Sequence, residues 1–110
     1  MRTVAVLFKG EVAGYLTQAD DGSFTFEYQR EWIANPAKPG ISLTLPKQAE
    51  PYTSSFLFPL FFNMLPEGSN KQVVCHYNRI DPDDYFGILI ATANEDTIGA
   101  ISVRKIGGDE

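Results

Sequence analysis

Between Thr3 and Tyr28 apolar and polar positions alternate with a period of two, interrupted twice by turn residues. Val4, Val6 and Phe8 interleave with Thr3, Ala5 and Leu7, and Val12, Gly14 and Leu16 continue the period. Phe24, Phe26 and Tyr28 then oppose Ser23, Thr25 and Glu27. Residues two apart share one face of a strand, so this stretch predicts three strands. Lys9-Gly10 closes the first pair as a hairpin. Asp20-Asp21-Gly22 supplies the second turn, because Gly accepts positive φ and Asp bonds its own backbone. Gln29 to Ala34 predicts a short helical turn that buries Trp32 and Ile33. Asn35 to Gly40 reads as a loop, since Pro36 and Pro39 remove donors and restrict the residues before them. Ile41-Ser42-Leu43-Thr44-Leu45 alternates again as a fourth strand and ends at Pro46.

Beyond Pro51 the pattern becomes helical. A first helix, capped by Thr53, Ser54 or Ser55 and tolerating Pro59 near its first turn, is apolar on nearly every side from Phe56 to Leu65. Such a helix is either central to the core or covered by a partner. A second starts at Ser69 with Gln72 completing a capping box, and Val73, Val74, Tyr77 and Ile80 form its stripe. A third takes Asp81 as N-cap and Pro82 at its first position, with Asp83 and Asp84 facing the positive end of the dipole. Tyr85, Phe86, Ile88, Leu89 and Ala93 make its inner side. Gly99 to Ile106 is a last strand returning beside one of the first four. The fold class is α+β: a single small domain over residues 1–106, with an antiparallel or mixed β-sheet of about five strands and three helices inserted before the last strand. Residues 107–110 form a polar tail.

Composition narrows the setting. A chain of 110 residues, 44% hydrophobic with eight Phe and five Tyr, has the makings of one modest core. Nine basic against fourteen acidic residues give a net charge of −5, which repels phosphate backbones and anionic lipid and favours a basic partner surface. Direct nucleic-acid binding and membrane association are therefore not expected. No segment reaches the roughly 20 apolar residues of a membrane span. The apolar run at the N-terminus stops at Lys9-Gly10, short of a signal peptide, so a cytoplasmic protein is expected.

Candidate chemistry is sparse. His76 is the only histidine and Cys75 the only cysteine, which removes His-based triads, two-His metal sites and internal disulfides. Adjacent helical residues diverge by about 100°, so Cys75 and His76 do not form a nucleophile–base pair; a buried thiol beside a surface imidazole is expected. Asp81, Asp83 and Asp84 lack the Gly and Glu of an EF-hand loop and are read as helix-capping acids. Neither a phosphate-binding glycine motif nor the kinase catalytic motifs occur. The expectation is a non-enzyme without cofactor or metal; a small enzyme using Asp81, Asp83, Asp84 or Glu67 as general acid is disfavoured by the spacing. Trp32 is read as core, next to Tyr28 and the Phe24/Phe26 face. Leu65-Pro66-Glu67-Gly68 reads either as a plain helix–helix corner or as a stiff prong offering apolar anchors and one charge.

Several ordered segments resemble the N-terminal subdomain of HipA-type serine/threonine kinases. Gly14-Tyr15-Leu16 resembles a G-x-L stretch, Phe24 to Tyr28 followed by Glu31-Trp32-Ile33 an F-x-Y then E-W-L segment, and Ile41 to Pro46 an S-L-S-L-P strand. Phe61 to Gly68 is similar to F-F-D-N-L-L-P-E-G, and Asp84 to Ala100 to the closing helix and G-A strand. Phe62 stands where that family often has Asp, which leaves more apolar surface near the corner. The resemblance implies a kinase-binding head. Because the catalytic body is missing, it also implies a HipS-like antitoxin of a HipBST-type toxin–antitoxin system, acting on a HipA/HipT-like kinase with a HipB-like DNA-binding protein in a larger complex. Met64, Leu65, Pro66 and Glu67 are the expected partner-binding residues, and changing Met64 and Leu65 to Ala is expected to spare the fold. The alternative is a stabilising or activating subunit of a split kinase.

Overall fold

A computed structural model describes residues 2–65, 68–91 and 100–106. The alternating segments form strands β1 (Arg2–Phe8), β2 (Glu11–Gln18) and β3 (Phe24–Tyr28). Lys9 and Gly10 both take positive φ, 51° and 85°, the paired left-handed geometry that lets a two-residue turn follow the strands' twist. The short helical turn is α1 (Arg30–Ala34), and β4 (Tyr52–Ser54) and β5 (Ile101–Lys105) complete a five-stranded sheet in the order β4-β3-β2-β1-β5. Every pairing is antiparallel, which settles the antiparallel-or-mixed alternative, and the closing strand lies beside β1.

The register sorts the strands into two faces. Val4, Val6, Leu16, Phe24, Phe26, Tyr28, Ile101 and Val103 join one hydrophobic cluster with Phe61, Phe86 and Leu89 from the helices. Thr3, Ala5, Leu7, Tyr15, Thr17, Thr25, Glu27 and Arg104 lie on the other face, where Ala5 and Leu7 on β1 are buried and the rest are half-buried or exposed. Close packing has local requirements. A Cβ on Gly14 would meet the Glu27 carbonyl oxygen at 2.4 Å and the Phe26 ring at 2.9 Å, so no larger residue fits where β2 crosses β3.

Two expected elements differ. Ile41 to Leu45 is not a strand: an isolated bridge between Ser42 and Leu45 folds it into a tight turn, and the fourth strand is Tyr52–Ser54 instead. The apolar helix expected from Phe56 to Leu65 is reduced to α2 (Pro59–Phe62). Phe58 precedes a proline, and the proline ring excludes the helical region for it; its φ and ψ of −62° and 143° are extended. Ser54 therefore ends a strand, and its Oγ accepts the Phe56 N–H at 3.0 Å. After α2 the chain continues in tight i→i−3 bonds, Met64 N–H to Phe61 O and Leu65 N–H to Phe62 O, both 3.1 Å.

The remaining helices are α3 (Gly68–Asn78) and α4 (Tyr85–Ala91). Among the described side chains of α3, Cys75 is buried, whereas Val73 and Tyr77, expected in its inner stripe, are exposed. The N-cap of α4 is Asp84 and not Asp81: its Oδ1 accepts the Gly87 N–H at 3.1 Å. Asp81 forms the preceding turn, its Oδ1 accepting the Asp83 N–H at 2.9 Å. The expected polar tail, 107–110, lies outside the described residues.

Candidate functional site

The corner that carries the sequence motif divides sharply. Met64 is 4% exposed and belongs to the core cluster; Leu65 is half-buried and packs against it. Pro66 and Glu67 lie outside the described residues. Met64 therefore cannot be truncated without cost to the core, contrary to the expectation that the Met64 and Leu65 changes would spare the fold.

The exposed apolar surface begins two residues earlier. Phe62 is 48% exposed and meets the Tyr85 ring edge-on, with centroids 5.4 Å apart and planes at 79°. Phe56 is 80% exposed. Between them runs a groove of about 250 Å³, floored by Phe24 and Leu57 and bordered by Gln18 and Asp83. Its position follows from local chemistry. The Ser54 hydroxyl holds the backbone at Phe56, Pro59 forces the extended Phe58, and the one-turn α2 then sends Phe61 inward and Phe62 outward. Phe24 also stacks on Phe86 at 6.3 Å, so the floor is tied to the core.

Asp84 sits beside the groove's acidic rim. Arg2 grips it in a fork, Nη1 to Oδ2 at 3.1 Å and Nη2 to Oδ1 at 2.7 Å, and also reaches Gln18. Hydrogen bonding from this guanidinium, opposed by desolvation and helped by the Gly87 amide, holds the Asp84 carboxyl below the usual aspartate range. The arrangement fixes α4, and with it Tyr85, against β1 and β2. It is structural chemistry: the acid is already committed to a cation and a helix terminus.

A second, larger depression of about 520 Å³ lies on the opposite face of the sheet, with Tyr15, Glu27, Arg30 and Glu31 on its walls. Among the described residues no group of three or more His, Cys, Asp or Glu is placed to hold a metal ion. Cys75 is buried while His76 is exposed, as the helical spacing implied. Trp32 is buried, its ring edge against Phe8 at 5.8 Å and its Nε1 donating to Pro39 O at 2.8 Å. The site's dominant chemistry is thus apolar contact. Sequence reasoning singled out Phe62 as added apolar surface but missed Phe56 and Tyr85 as its companions, and the restriction on Phe58 imposed by Pro59 was the signal that could have found Phe56.

Comparison with known proteins agrees with this fold. The family described as the HipA N-terminal domain matches residues 4–104. An uncharacterized protein of Haemophilus influenzae is 31% identical over 105 residues, covering 96% of this chain and 93% of its own. Two Sinorhizobium fredii proteins named as candidate kinases, Y4mE and Y4dM, are 30% and 27% identical over 89 and 107 residues. The matches span 81% and 92% of this chain but only 21% and 26% of theirs. A solved structure of the N-terminal domain of HipA toxin superposes with a TM-score of 0.73 at 27% identity, covering 99% of this chain and 96% of that one.

Proposed function

The chain belongs to the HipA N-terminal domain family, and from that premise we propose that it binds a separately encoded HipA/HipT-type serine/threonine kinase and inhibits it, as a non-catalytic antitoxin-like protein. The observation that carries this reading is the groove between Phe56 and Phe62. Exposed aromatic rings around a preformed apolar floor are what an interface core uses, because they bury much area with little side-chain entropy to lose. The net charge of −5 adds long-range attraction toward a basic nucleotide- and substrate-binding cleft.

A second reading, a subunit that stabilises or activates the kinase, draws on the relatives Y4mE and Y4dM, in which the matching segment is a minor part of a longer candidate kinase. Co-expression with a HipA-type kinase separates the two. Co-purification with suppressed autophosphorylation and relieved toxicity is the expected result. A complex with unchanged or raised kinase activity would replace inhibition by the subunit role, and no complex would remove both.

A further inference from the structure

Leu43 is 101% exposed, as open to solvent as in an extended peptide. Single exposed leucines are common and by themselves need no explanation. What distinguishes this one is how its turn is held. Ile41 and Leu45 on either side of it are 7% and 2% exposed and belong to the core cluster. The turn between them is closed by Leu45 N–H donating to Ser42 O at 3.1 Å, and Thr44 N–H donates to Ser42 Oγ at 3.2 Å. The Tyr28 hydroxyl clamps the base from below, accepting the Ile41 N–H at 2.9 Å and donating to Leu45 O. The adjoining loop is held too, by Lys47 Nζ donating to Asn35 O and Lys38 O at 2.8 and 2.7 Å.

We propose that Leu43 is a preformed anchor that inserts into an apolar, leucine-sized pocket on the body of the kinase, as a contact separate from the Phe56–Phe62 groove. This rests on the kinase-binding reading above. Leucine is an infrequent hot-spot residue, because its contact area is modest and a loop that presents it must usually be ordered on binding. Here the ordering has already been done by folding. The geometry also gives the anchor its own footprint. Phe24, in the groove floor, and Tyr28, under the turn, are the two ends of β3, about 13 Å apart along the strand.

A second copy of this chain is the competing occupant, since its groove could receive the leucine. Reciprocal insertion would close a two-fold dimer and one-way insertion would build a ring or an open chain, and either occupies both apolar sites at once and leaves neither for a kinase. A kinase body fits better. In Y4mE and Y4dM most of the chain lies outside the matched module, so the module there shares its chain with a large further body.

The test measures affinity of this chain for a HipA-type kinase with Leu43→Ala, Leu43→Asp and Leu43→Met, alongside melting temperature and sedimentation of the free chain. Leu43→Ala is expected to weaken binding about ten- to a hundredfold, Leu43→Asp further, and Leu43→Met little, with melting temperatures unchanged. Wild-type binding that Leu43→Ala and Leu43→Asp leave intact would overturn the anchor while sparing the kinase-binding reading. Absence of wild-type binding would overturn both. Self-association abolished by Leu43→Asp at unchanged kinase affinity would assign the leucine to a second copy and overturn the proposal.

Discussion

Phe62 and Met64 are separated by one residue, yet one presents about half its surface to solvent and the other 4%. On a turn of i→i−3 bonds, side chains two apart diverge by about 120°, so Phe62 reaches the rim of the groove while Met64, expected in the prong, belongs to the core. Met64→Ala is expected to cost about 2–4 kcal/mol of stability, read from the midpoint of urea unfolding, because it empties a site within the main cluster. A binding loss in that variant would report the fold and not a contact. Other side chains were legible from type and spacing alone: Trp32 as core, Cys75 inward with His76 outward. The role of the Tyr28 hydroxyl was not, since its partners Ile41 and Leu45 come from a turn whose shape no local pattern reveals.

Among elements, the hairpin and β3 follow their alternation closely because strand periodicity and turn chemistry agree there. The departures occur where a proline or a competing cap outweighs hydrophobic pattern, at Phe58-Pro59 and at the start of α4. Asp84 wins over Asp81 as N-cap because it also receives Arg2 from β1, a partner 82 residues away in sequence. Its depressed carboxyl gives the element a pH signature. A folded pKa below the unfolded one contributes stability that is present above about pH 4 and is lost as pH falls through the folded value. With the Asp84 side chain 34% exposed, solvent screening limits the contribution to about 1 kcal/mol or less. Asp84→Asn retains a capping side chain and removes the charge. The variant is expected to be slightly less stable than wild type at pH 6–7, with the difference closing as pH falls below the ordinary aspartate value of about 4 in urea titrations.

At the scale of the whole molecule, α+β architecture and the closing strand were legible, but the position of β5 beside β1 was not. Hydrophobic alternation fixes which face of a strand is buried and says nothing about which neighbour it pairs with. That placement leaves β3 next to the short edge strand β4, with the groove at one end of β3 and the Leu43 turn at the other. On the proposed kinase-binding reading, two separated contact points carry a quantitative expectation. Phe56→Ser with Phe62→Asp is expected to lower kinase affinity at least tenfold while costing no more than about 1.5 kcal/mol of stability, the upper worth of the Phe62–Tyr85 ring contact. Sites with no shared partners contribute independently, so combining this pair with Leu43→Ala should multiply the separate losses in affinity. Isothermal titration of the three variants against one kinase preparation measures this directly. A combined loss no greater than the larger single one would mean that the groove and the turn do not engage the kinase simultaneously, and that one end of β3 carries the interface alone.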